Sequence, residues 1–224
     1  AARRLKPDQL FTGLDPLKQD FTGGDWDHKL LKKTLETPVE VLAIGRVTVS
    51  FDGGKSARTD WAKHWDREKG TVRSATGELV WDSKKRVVTL RGPKTEAVIG
   101  FAGGGKFDLP GAQLEVKTGF VSIILTPLDD LALAESRQIL VTAMARDRQE
   151  GATYSQDGKQ LTRLGGPPLL MEPVEARITL KGKPPAEINV LDFFGVPTGR
   201  KVKPAGASFK IDGTHRTYYY EVKR

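Results

Sequence analysis

Residues 46–51, RVTVSF, alternate: Val47, Val49 and Phe51 fall on one face of an extended chain, and Arg46, Thr48 and Ser50 on the other. Residues 176–182, ARITLKG, do the same, with Ala176, Ile178 and Leu180 against Arg177, Thr179 and Lys181. That period of two is what a strand with one buried face requires. Residues 120–126 (FVSIILT) and 138–145 (QILVTAMA) are apolar on both faces, which predicts central or doubly covered strands. Further strands are predicted at TVRSA, ELVWD, RVVTLR, TEAVIGF, QLEVK, EINVLD, SFKID and TYYYEV. Gly, Pro and Asp-Gly turn signals separate them at close intervals. The expected fold is therefore all-β, an antiparallel β-sandwich, either jelly-roll-like or two packed small sandwiches.

Helical patterning is scarce. Residues 25–38, DWDHKLLKKTLETP, read as a short N-terminal helix with Asp25 as N-cap, Trp26, Leu30 and Leu31 near one face, and Pro38 as its stop. Residues 60–70 (DWAKHWDREKG) and 128–136 (LDDLALAES) also look helical, and both are short. The predicted organisation is a linker and docking helix over 1–38, then a β-sandwich region over 39–224 with a sub-boundary near 165. No strand alternates with a long helix, which disfavours a doubly wound nucleotide fold.

Composition narrows the setting. Within 224 residues, 38% apolar content with four Trp and nine Phe is that of a chain with a core. No run of eighteen apolar residues is present, so no segment reads as a membrane-spanning helix. The chain opens AARRLKPDQLF, without Met or an apolar signal core, and reads as a processed product or a piece of something longer. The formal net charge of +8 favours acidic partners, yet the basic clusters are short and not interleaved with aromatics. Neither nucleic acid nor membrane is an expected partner. With no Cys, disulfides and thiol chemistry are excluded.

One motif invites a nucleotide. Gly100, Gly105 and Lys106 in IGFAGGGKFDLPG stand at Walker A spacing. A phosphate loop also needs a Ser or Thr after the Lys and a helix starting there. Phe107 stands in place of the hydroxyl and Pro110 would break the helix. The nearby FDGGKS fails too, because its first glycine position is Val49. The expected structure is a glycine-rich hairpin after the TEAVIGF strand. His28, His64 and His215 lie far apart with no ligand spacing, so no cofactor is expected. A structural calcium needs no such spacing and stays open. Glu78, Glu96, Glu135, Glu172 and Glu175 are candidates for paired-carboxylate chemistry, and nothing in the sequence selects two of them.

The aromatics say more. Trp61 and Trp65 are four residues apart and would share a face if 60–70 is helical; Tyr154 sits in the polar loop EGATYSQDGK. Exposed rings of this kind stack on sugar faces, and these three are the candidate carbohydrate-binding residues. The competing reading makes the Trp pair a buried anchor onto the sheet. Trp81, alternating with Leu79, looks like core.

GRVTVSF, then TVRSATGELVWDSKKRVVTLRGPKTEAVIGFAGG, LAESRQILVTAMAR, GGPPLLMEPVEARITLKG and TYYYEVKR follow one another in order. Over residues 39–224 this series resembles the C-terminal β-rich region of large secreted bacterial glycoside hydrolases, cellulase-like and β-galactosidase-like, where it follows a (β/α)-barrel. The resemblance implies a non-catalytic accessory module, extracellular or at the cell surface. Its partners would be a polysaccharide or the catalytic barrel of the same protein. It carries no catalytic residue onto this chain, because in those enzymes the catalytic carboxylates belong to the barrel. The alternatives are a stand-alone β-sandwich glycoside hydrolase or polysaccharide lyase, and a cell-surface adhesion or assembly domain.

Overall fold

The computed structural model describes residues 39–46, 60–156, 158 and 160–224. The helix expected over 25–38 and most of the strand expected over 46–51 lie outside them. The chain divides into two compact units, Ala1–Lys63 and His64–Arg224. In the first, Val39–Ala43 forms a 3-10 turn, with Ile44 N–H donating to the Val41 carbonyl at 3.0 Å.

Among its described residues the second unit holds eighteen strands. They are β1 (Trp65–Asp66), β2 (Thr71–Arg73), β3 (Leu79–Asp82), β4 (Val87–Arg91), β5 (Glu96–Gly100), β6 (Lys106–Asp108), β7 (Ala112–Val116), β8 (Val121–Pro127) and β9 (Gln138–Met144). There follow β10 (Asp147–Glu150), β11 (Thr153–Tyr154), β12 (Leu161–Arg163), β13 (Gly166–Met171), β14 (Glu175–Leu180), β15 (Glu187–Leu191), β16 (Pro197–Lys201), β17 (Ser208–Asp212) and β18 (Tyr219–Lys223). A ten-stranded sheet runs β1-β2-β3-β4-β5-β8-β9-β18-β15-β16, and a four-stranded sheet runs β17-β14-β7-β6. Two small ribbons pair β10 with β13 and β11 with β12. Every pairing among these strands is antiparallel, and the fold is all-β.

The alternation read from the sequence sets the core. Ala176, Ile178 and Leu180 of β14 are buried, as are Leu114 of β7 and Phe209 and Ile211 of β17. They join Val98, Val121, Ile123, Leu125, Ile139, Val141, Tyr220 and Val222 of the ten-stranded sheet in one hydrophobic cluster. Burying each large apolar side chain contributes about 1.5–3 kcal/mol, so this shared core dominates the stability of both sheets. β8 and β9, apolar on both faces, are central strands of the larger sheet. Residue 165 falls between β12 and β13, and strands from before and after it pair within both larger sheets.

Three local expectations are corrected. Residues 60–70 are not a helix: only Ala62–His64 makes a 3-10 turn, and Trp65 then enters β1. Asp66 Oδ1 accepts the Lys69 N–H at 2.9 Å, and Gly70 adopts φ +69°. These close a turn that returns the chain as β2, pairing Trp65 with Val72. Sheet pairing outweighs a weak local helix propensity. Residues 128–136 make a single turn rather than a helix, because the Asp129 carboxylate accepts the Arg137 N–H at 2.8 Å and folds the segment back. The Arg224 guanidinium ties that turn to the end of β14, donating to the carbonyls of Ala134 at 2.7 Å and Lys181 at 2.9 Å.

The glycine-rich segment is the third. It is not a hairpin, since β5 pairs with β4 and β8 while β6 pairs with β7. Residues 101–105 carry the chain from the ten-stranded sheet to the four-stranded one, and 117–120 bring it back. The two crossovers touch: Gly103 N–H donates to the Gly119 carbonyl at 3.2 Å, and a Cβ on Gly103 would lie 2.9 Å from Gly119 Cα. Arg86 stacks on Phe101 at 3.9 Å, and Phe101 meets Phe120 edge-on at 5.3 Å, closing the corner.

Candidate functional site

The crossover does not offer a phosphate cradle. The N–H groups of Phe101, Ala102, Gly103, Gly104 and Gly105 all donate to backbone carbonyls at 2.8–3.2 Å. Lys106 lies in β6 and its ammonium pairs with Glu115 at 3.0 Å. A phosphate would find neither free donors nor a helix start here.

The excursion between β9 and β14 is more open. After Met144 the chain leaves the ten-stranded sheet, runs out along β10, makes the β11–β12 ribbon, and returns along β13. Every residue of β10, β11 and β12 is exposed. A fork closes its base: Arg146 Nε and Nη2 donate to the two carboxylate oxygens of Glu172 at 2.7 and 3.2 Å, while Glu172 N–H donates to the Arg146 carbonyl at 2.8 Å. The Arg146 guanidinium holds the Glu172 carboxyl below the usual range, and Glu172 raises the guanidinium in turn. Both stay charged, as a bidentate pair should.

Above this fork lies a cleft of about 690 Å³, lined by Arg146, Asp147, Arg148, Tyr154, Leu170 and Glu172 among others. Tyr154 presents a half-exposed ring at its wall. A second cleft of about 430 Å³ shares Leu170, Met171 and Glu172 and reaches Ile211, Arg216 and Tyr218. Burial pushes the Tyr218 hydroxyl above its ordinary pKa. The first cleft thus combines a planar ring, an ion pair rich in acceptors and donors, a second Arg and an Asp. Such a set can stack on a sugar ring and bond its hydroxyls.

Of the three aromatics picked from the sequence, only Tyr154 is among the residues that line this cleft. Trp65 lies in β1, half buried, with the Arg67 guanidinium over its ring at 4.5 Å. Trp61 is half buried in the first unit. Among the candidate acids, Glu172 lines the cleft, ion-paired with Arg146. Glu175 pairs with Lys117 at 3.9 Å, and Glu78 accepts from Thr76 Oγ1 at 3.2 Å. Glu135 sits in the single turn before β9. Glu96 is buried in β5, its Oε1 accepting the Gly111 N–H at 2.6 Å. His215 meets Tyr220 edge-on at 6.3 Å, and His64 ends the 3-10 turn. Among the described residues no group of three or more His, Asp or Glu is placed to hold a metal.

Sequence reasoning missed Arg146, Arg148 and Asp147. Arg146 and Glu172 stand 26 residues apart and meet only because β10 and β13 pair. No local spacing marks them. No family model, curated protein or solved structure matches the chain. What the fold and the cleft define is a class: an all-β unit with an open, charged and aromatic cleft on an excursion from its core.

Proposed function

We propose that this chain is a non-catalytic accessory module of an extracellular carbohydrate-active enzyme and that it binds glycan in the cleft at residues 146–172. In this reading its two larger sheets form a sandwich around the shared core. The observation that carries the reading is the half-exposed Tyr154 ring lining the same cleft as the Arg146–Glu172 fork. The sequence resemblance to the β-rich region that follows the barrel of secreted glycoside hydrolases supports the same role and an extracellular or cell-surface location. Glu172, held ionised by Arg146, is poorly suited to donate a proton, which favours binding over hydrolysis at this cleft.

Affinity electrophoresis of the chain through a panel of soluble polysaccharides tests this. Retarded mobility in at least one gel is expected, with Tyr154→Ala weakening it about tenfold, the loss of one well-packed ring. Unchanged mobility in every gel, or equal retardation of the variant, would reject glycan binding at this cleft.

A further inference from the structure

The turn between β15 and β16 reads DFFGV, residues 192–196, and it holds its apolar side chains outward. Phe194 is 93% exposed, Phe193 55% and Val196 56%. The turn is braced. Asp192 Oδ1 accepts the N–H groups of Phe194 at 2.8 Å and Val196 at 2.9 Å, and Asp192 N–H donates to the Val196 carbonyl at 2.8 Å. Gly195 takes φ +82°, which completes the turn, and Phe193 rests edge-on against Tyr218 at 5.5 Å. A chain that fixes its backbone this firmly and still leaves a Phe almost wholly in water presents that side chain to something.

Charge says to what. The returning limb carries Arg200, Lys201 and Lys203, all exposed. Lys201 pairs with Glu187 at 3.0 Å; among the described residues the side chains of Arg200 and Lys203 make no ion pair. The one acid of the turn, Asp192, has its Oδ1 engaged by backbone N–H groups. The net charge of +8 has the same sign. The apolar element is a convex tip rather than a groove, so a rigid partner would need a matching pocket, whereas a lipid boundary yields to it.

We propose that the β15–β16 turn is an interfacial anchor for an anionic lipid surface. Phe193, Phe194 and Val196 enter the boundary of headgroup and acyl chain, roughly 5–10 Å deep, and the cations a few residues behind meet lipid phosphates. This goes beyond the glycan reading and departs from the expectation that no membrane partner exists. Resting on a membrane is distinct from crossing it, and no helix among the described residues is long and apolar enough to cross one.

Cosedimentation of the full chain with vesicles tests the anchor, comparing phosphatidylcholine alone with phosphatidylcholine mixed with phosphatidylglycerol. Binding to the mixed vesicles is expected, falling with added salt and weakened about tenfold by Phe194→Ser. Phe194→Leu should retain it. Because Phe194 packs so little, an unchanged melting curve will show that the variants are folded. Absence of binding to the mixed vesicles overturns the proposal, as does equal binding of F194S or equal binding to the neutral vesicles. A dimer in ultracentrifugation that F194S dissolves would assign the tip to a protein contact and overturn it as well.

Discussion

At the scale of single residues, Glu96 is the sharpest case. It is 1% exposed, its Oε1 holds the Gly111 N–H, and its Oε2 has no hydrogen-bond partner among the described residues. Burial pushes its carboxyl above the ordinary value, against the pull of Gly111 N–H and of Lys181 and Arg91. The folded state therefore grips this proton more tightly than the unfolded chain does. Below the unfolded pKa both states are protonated and nothing is lost. As pH rises through the window up to the folded pKa, the unfolded chain ionises first and stability falls; above the window the loss is constant. Glu96→Gln keeps an oxygen for Gly111 and removes the titration. Urea denaturation at pH 4 and pH 7 should show Gln gaining on Glu at the higher pH. A difference that does not change with pH would contradict this account. Glu96 could be picked from the sequence as a carboxylate, but its burial follows from the packing of residue 111 and the 128–136 turn against β5, which no local pattern announces.

At the scale of elements, the crossover at residues 101–105 depends on the glycine that ends β5 just before it. Gly100 has φ +121°, and a Cβ there would strike the Arg86 carbonyl oxygen, which also accepts the Phe101 N–H at 3.0 Å. Gly100→Ala should cost about 1–3 kcal/mol or more, read from chemical denaturation, because backbone strain and the collision act together. Gly104→Ala is the milder control: its φ of +78° is strained, but open space surrounds its Cβ position. Equal losses at the two sites would remove the collision from the explanation. The strands flanking this crossover show what periodicity can carry. β7 and β14 were legible because apolar, buried positions alternate strictly with polar, less buried ones along them. β8 and β9 were legible because both of their faces are apolar. β6 was not, being three residues long, nor were β10 to β12, which are exposed throughout and so have no buried face to impose a period. Asp147, Arg148 and Tyr154 of the cleft lie on those silent strands, and Arg146 meets Glu172 across the foot of the β10–β13 ribbon, so Tyr154 and Glu172 could be named from the sequence while their meeting in one cleft could not.

At the scale of the molecule, the unit His64–Arg224 has its two larger sheets joined by a common cluster that includes Ile178 of β14 together with residues of β8, β9 and β18. Ile178→Ala should cost about 2–5 kcal/mol. Because the core is shared, hydrogen exchange should speed up in β8 and β9 of the ten-stranded sheet as well as in the four-stranded sheet that carries the substitution. Faster exchange confined to the smaller sheet would mean that the two open independently. The pairing order that creates this core was the least legible level of all. Alternation tells which residues face inward, but it does not tell that β5 neighbours β8, or that β18 returns between β9 and β15. The first of those adjacencies comes from a pair of crossovers, one of which carries the glycines that had suggested quite different chemistry.

The ten-stranded sheet is open, and β16 lies at one margin of it. There the register slips between Asn189 and Leu191, Thr198 Oγ1 donates to the Val190 carbonyl at 2.8 Å, and Gly199 turns to φ +79°. An outer strand so kinked, bearing Arg200 and Lys201, is a poor template for another chain's strand. Copies of this protein can crowd together without polymerising sheet to sheet through that margin, and the kinked edge thereby acts as a built-in guard against aggregation.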